Sequence, residues 1–229
     1  LAHDGVALDR VDAVESATGV ALIHVDDRGE NCITVIAGAN GRARAAHVPD
    51  TMLTPATTLL MQLELPLAEV AMLARRARAR GARVVLNAAP ASASARDLLD
   101  DIDVVIVDDG EAARLAADAG DAWVACRALA AGARIAVVTL GRNGALHATR
   151  AVVQHQRATP VDVVDTVGAG DAFTGALVAA LDRGDDLARA VREGVAAGSL
   201  ACLAAGAQRA LPARDAIVRH ALALPDALE

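Results

Sequence analysis

From Ala17 to Gly38 the chain carries two runs rich in Val, Ile and Thr, separated by the polar "DDRGEN". Short β-rich runs flanking Asp, Gly and Asn predict a β-hairpin. A polar, irregular connection, "ANGRARAAHVPD", follows, and beyond it the pattern changes. Apolar runs of strand length ("TTLLMQL", "ARVVLN", "DVVIV", "ARIAVVTL") alternate with helical segments: Pro66 to Arg80, a stretch near Ala95, and Glu111 to Ala131. Short strands without polar alternate positions are buried on both faces, the condition of a parallel sheet covered by helices. The expected fold is α/β: a doubly wound, mostly parallel sheet flanked by helices, with a small β lid. The lid and its connections are assigned to residues 1–45 and the α/β domain to residues 46–229. A second hairpin, "GALHAT" with "AVVQHQ", comes next. The remaining helices are Ala-rich, with apolar residues at helical spacing in "DLARAVREGVAAGSLACLAAG".

Composition narrows the function. Hydrophobic residues make up 54% of the chain and charges are spread evenly, so it folds rather than stays disordered. Aromatic residues are only 1%, which leaves Ala, Val, Leu and Ile to build the core. A formal charge of −7 and the lack of stacking side chains argue against a nucleic-acid partner. Cys32, Cys126 and Cys202 form no CxxC pair, and the six histidines form no HExxH or HxxxH pair. Neither a disulfide framework nor a zinc site is expected, and a reducing cytoplasm fits. No apolar run reaches the roughly 18 residues of a membrane span, and no leader is expected.

The chemistry concentrates in "DTVGAGDAF", Asp165 to Phe173. Gly168, Ala169 and Gly170 stand where a helix begins, with free N–H groups able to hold a phosphoryl group as its charge develops. Asp171 beside them is either a general base for an attacking hydroxyl or a local helix cap. Strand ends add two candidates. "VVTLGRNG" offers Thr139 and Gly141 to a nucleotide, and "VDDGEA" offers Asp108, Asp109 and Glu111 either as an indirect Mg²⁺ site or as helix-start acids. The P-loop and dinucleotide fingerprints are both absent.

Taken in order, "TGVALI", "GENCITVIAGAN", "LLMQLELPL", "LNAAPA", "DDGEA", "VVTLGRNGAL", "DTVGAGDAF" and "AAGAQRALP" resemble the ribokinase-like family of sugar and nucleoside kinases over essentially the whole chain. The resemblance implies an ATP-dependent sugar kinase that phosphorylates the 5-hydroxyl of D-ribose. Asp171 corresponds to its catalytic base, and Gly168, Ala169 and Gly170 to its anion hole. Glu64 corresponds to a substrate carboxylate, and Ala21 and Ile33 to lid positions over the sugar. Asp108, Thr139, Gly141, Gly170 and Val195 correspond to nucleotide positions, and Glu111 to an acid linked to Mg²⁺. A monovalent cation, usually K⁺, is implied at Asp165 with Val167, Ala201, Ala204, Gly206 and Ala210. Pairing of lids between subunits implies a homodimer.

The chain departs from the family at several points. Asp108 stands where the family has Asn, "LNAAP" replaces LNPAP, and Ala210 replaces a Ser. The likeness begins just before the lid hairpin, so the family's GG-x-x-x-N sugar-binding region has no counterpart in the sequence. Two other readings stay open at this point: a kinase of another sugar or a nucleoside, and a truncated, non-catalytic nucleotide-binding relative.

Overall fold

In the computed structural model, which describes residues 1–25, 31–117 and 120–228, Val20–Val25 (β1) and Asn31–Ile36 (β2) pair antiparallel in a sheet of their own. This is the expected hairpin; residues 26–30 of its turn lie outside the described residues. Three short 3-10 helices, Gly38–Arg42, Ala45–His47 and Asp50–Met52, then lead to the body. The polar connection is therefore more ordered than its composition suggests. Its order comes from a distant helix, α1 (Leu67–Ala79), on which Arg76 donates to the carbonyls of Ala45 and Val48 at 2.7 and 2.8 Å. Glu69 on the same helix accepts from the Ala45 amide at 2.8 Å, so these bonds run across the boundary drawn at residue 45.

The body is one sheet in the order β3 (Thr58–Met61), β4 (Arg83–Asn87), β5 (Val104–Asp108), β6 (Ile135–Thr139), β7 (Ala145–Ala148), β8 (Val153–Gln156). The pairings from β3 to β6 are parallel and the last two antiparallel. Both faces are covered, as the unbroken apolar runs require. Val84, Leu86, Val105, Val107, Ala136 and Val138 belong to one core, with α1, the 3-10 helix Ala93–Asp101, α2 (Asp109–Leu115) and α3 (Ala122–Gly132). Val85, Val104, Ile106 and Val137 point the other way, into a core made with α4 (Ala169–Asp182), α5 (Leu187–Ala201) and α6 (Arg214–Ala223). Parallel pairing of β3 to β6 places their four C-terminal ends on one rim. Asp121 and Asp186 start α3 and α5 by accepting backbone amides of Val124 and Arg189 at 2.9 and 2.8 Å. No helix among the described residues is long and apolar enough to cross a membrane.

Candidate active site

Asp108 and Thr139 are register partners at the ends of β5 and β6. Gly141 follows in the left-handed region, φ +53°, with open space where a Cβ would stand. These three nucleotide candidates thus lie along one stretch of rim. Asp108 also caps α2: its Oδ1 accepts from the Glu111 amide at 2.6 Å, while Glu111 Oε2 accepts from the Asp108 amide at 2.9 Å. Asp and Asn serve equally well at such a cap, so the Asp108 departure leaves the local fold intact. It does bring a second charge beside Glu111. Burial first, with Asp108 adding to it, raises the Glu111 pKa, while the Asp108 and Ala91 amides oppose the shift. Asp109 accepts from the Gly110 amide at 2.9 Å, and no three metal-ligating side chains converge among the described residues. The local helix-start role is therefore present in all three acids.

The turn before α4 is built differently. Gly168 is its cap residue, at φ +79°. A Cβ there would stand 2.9 Å from Ala207 Cα and 3.0 Å from its carbonyl oxygen, so both conformation and space demand glycine. The Ala169 amide is engaged by the Thr166 carbonyl at 3.2 Å, and regular helix bonding begins with Ala172 to Gly168 at 2.9 Å. Between them, the amides of Gly170 and Asp171 have no acceptor among the described residues. With the Gly168 amide, which likewise has no acceptor among the described residues, they are the donors left to an anion, whereas the amide of Ala169 is taken. Among the described residues, no atom outside its own turn of helix lies within 4 Å of the Gly170 Cβ position. Asp171 is not the cap; its side chain is exposed and lines a cavity of about 350 Å³ with Gly175, Ala176, Ala197 and Arg214.

Asp165 ties this turn to the loop after α5. Its Oδ1 accepts from Val167 N at 3.0 Å and its Oδ2 from Gly206 N at 2.8 Å. The Val167 and Gly206 amides, with Thr166 assisting, hold its carboxyl below the ordinary carboxylate range against an opposing desolvation effect. A depressed folded-state pKa stabilises the fold above the unfolded value, and that contribution disappears as pH falls through the folded value. The thermal midpoint of Asp165→Asn should therefore lie below wild type near about pH 6, with the gap narrowing near about pH 3. An equal gap at both pH values, by differential scanning calorimetry, would contradict this role.

The α4–α5 contact holds the turn from beneath, and sequence reasoning passed over it. Positions for a Cβ on Gly194 and Gly198 of α5 fall 3.1 Å from the Phe173 ring and 3.3 Å from the Ala169 carbonyl oxygen. The available signal was the four-residue spacing of two glycines on one helix face. At the far end, buried Glu193 accepts from Arg183 at 2.7 Å, joining the exit of α4 to α5.

Other expected positions are more scattered. Val195 is buried in the core beneath the sheet, and Ala201 and Ala210 are buried as well, so their side chains offer a ligand little surface. Ala204 is exposed near Gly206. Glu64 is exposed just past β3, where its amide is taken by Gln62 Oε1, and Ala21 is exposed on the lid, paired with Val35. Ile33 pairs through its backbone with Ile23. No hydrogen bond among the described residues joins this group to Asp171.

Comparison with known proteins accounts for this combination. A profile described as pfkB family carbohydrate kinase matches residues 1–214. The chain belongs to that family. It is 32% identical to the ribokinase of Haemophilus influenzae over 93% of its length and 72% of the relative's, and 34% identical to that of Staphylococcus aureus over 88% and 69%. Among solved structures, ribokinase from Thermotoga maritima superposes with a TM-score of 0.80 at 28% identity, over 90% of this chain and 70% of that one. Arabidopsis thaliana ribokinase, solved with ribose and ATP, gives 0.78 at 26% over the same shares. Escherichia coli phosphofructokinase-2, solved with potassium, gives 0.73 at 26%, over 89% and 70%. The pfkB family fold is thus present here, with its sheet, its flanking helices and its small antiparallel sheet.

Proposed function

We propose that this protein transfers the γ-phosphoryl group of ATP to the 5-hydroxyl of D-ribose. The observation that carries the reading is the start of α4, where two unengaged amides, of Gly170 and Asp171, sit beside an exposed carboxylate in a carbohydrate-kinase chain. In this reading the Asp171 carboxylate accepts the hydroxyl proton as the oxygen attacks phosphorus, and the two amides stabilise charge on the transferred group. Thr139 and Gly141 position the nucleotide, and Glu64 with the lid residues Ala21 and Ile33 positions the sugar. The solved ribokinase with ribose and ATP supports this choice of substrates.

The loop around Asp165 fits a monovalent cation. Its carboxylate is held ionised by amides, retains lone pairs beyond the two it uses, and stands beside the open backbone of Gly206. Backbone carbonyls near Val167, Ala201, Ala204 and Ala210 would complete an oxygen set for K⁺. When bound, that ion would strengthen the positive field near the transferred phosphoryl group. Mg²⁺ lacks a comparable protein cradle among the described residues. The reading therefore keeps it with the ATP phosphates, reached from Glu111 through water.

Lid pairing gives the reading its assembly. Val20, Leu22 and Ile36 share one face of the hairpin and are 48%, 47% and 55% exposed, which suits cover by the lid of a second copy. The test combines activity and mass. We expect ribose-dependent ADP release that rises when K⁺ is added, from a species sedimenting at twice the chain mass. Equal rates with and without K⁺ would remove the cation site, and a monomer mass would remove the lid dimer.

A further inference from the structure

The nucleotide candidates Thr139 and Gly141 lead into a turn, Gly141–Asn143, that is fastened from outside by one side chain. His155 of β8 donates from Nε2 to the Asn143 carbonyl at 2.7 Å. Because a carbonyl can only accept, this contact places a proton on Nε2. The other side of the loop is equally confined: Gly144, at φ +91°, leaves no room for a Cβ, which would stand 2.1 Å from the Gln156 carbonyl oxygen. The loop is therefore seated against β8.

His155 is itself held by residues distant in sequence. Its amide donates to the Leu228 carbonyl at 2.7 Å, and its carbonyl accepts from the Leu228 amide at 3.0 Å. Its ring meets Trp123 edge to face, with centroids 6.2 Å apart and planes at 82°. The segment carrying Leu228 is strapped down just upstream. Gln156, with its side chain almost wholly buried, donates to the Pro225 carbonyl at 2.9 Å. Arg192 of α5 donates to the carbonyls of Ala221 and Pro225 at 2.6 and 3.0 Å, and also to that of Leu224.

We propose that His155 is a positioning residue for the nucleotide loop, and that residues 224–228 form a strap that keeps it aimed at Asn143. The proposal rests on the reading that Thr139 and Gly141 contact ATP. A loop that contacts a nucleotide through its backbone must be ordered before the ligand arrives, or binding must supply the ordering. His155 removes that requirement for this turn without touching ATP. Neither its histidine nor the strap belongs to the motifs on which the family resemblance stands.

The test compares His155→Leu, His155→Gln and Leu228→Pro with wild type, using calorimetric titration of ATP and separate KM values for ATP and ribose. His155→Leu should weaken ATP binding and raise KM for ATP about three- to tenfold, the worth of one hydrogen bond. KM for ribose and kcat should stay near wild type. His155→Gln retains a donor and should recover most of the loss. Leu228→Pro removes one bond of the bridge and should shift KM for ATP in the same direction, which keeps the comparison available if His155→Leu fails to fold. An unchanged ATP affinity in both His155→Leu and Leu228→Pro overturns the proposal, as does an equal weakening toward both substrates. Wild type without measurable ATP affinity would instead overturn the nucleotide site itself, and this proposal with it.

Discussion

Asp171→Asn is expected to lower phosphoryl transfer about 10²- to 10⁴-fold, the range typical of a lost general base. ATP affinity and thermal midpoint should be little changed. Asn has nearly the shape of Asp, and the start of α4 does not depend on the side chain because Gly168 is the cap residue. The two readings of Asp171 therefore differ in magnitude. A first-turn acid acting only on the helix dipole is worth about 0.3–1 kcal/mol of stability and nothing in rate. A base is worth several powers of ten in rate. Steady-state turnover with a calorimetric ATP titration separates them, and near-normal turnover by the variant would remove Asp171 from the chemistry.

Gly168→Ala should damage both fold and activity. The left-handed backbone costs a residue with a Cβ about 1–2 kcal/mol, and the contact with the Ala207 backbone adds to that. Ala207 lies on the loop whose Gly206 amide holds Asp165, so the strain falls on the turn that aims the Gly170 and Asp171 amides. Losing one well-aimed donor at a developing anion typically costs about 10²- to 10³-fold in kcat. Gly170→Ala is the matching control. Its added methyl meets no atom of another segment within 4 Å among the described residues, so it should melt no lower than wild type while crowding the anion position. Circular dichroism melts and kcat measured on both variants check the contrast. A Gly168→Ala protein with wild-type midpoint and turnover would contradict the geometry described for the turn.

Much of this was legible in the sequence because it is written in local patterns. The unbroken apolar runs marked strands buried on both faces, and "DTVGAGDAF" marked a glycine turn entering a helix. What the pattern concealed was the choice between roles for the same residue type. Asp108, Asp109 and Asp171 all stand at helix starts, yet the first two accept local amides while Asp171 is left exposed to a cavity. That difference depends on which residue becomes the cap, and it emerges only from backbone geometry. Long-range ties were equally hidden. Arg76 orders a connection that composition alone marks as irregular, and Gly194 acquires its meaning from the ring of Phe173 on another helix. His155 looks like an ordinary polar position until Asn143 and Leu228 meet it.

The most direct test of the account is a phosphorus NMR time course of the purified protein with ATP, Mg²⁺, K⁺ and D-ribose. The γ-phosphate signal should give way to a monoester resonance split by two methylene protons, the mark of a 5-phosphate, and 5-deoxyribose should yield none. ATP left intact, or converted to ADP and free phosphate without an ester, would contradict it.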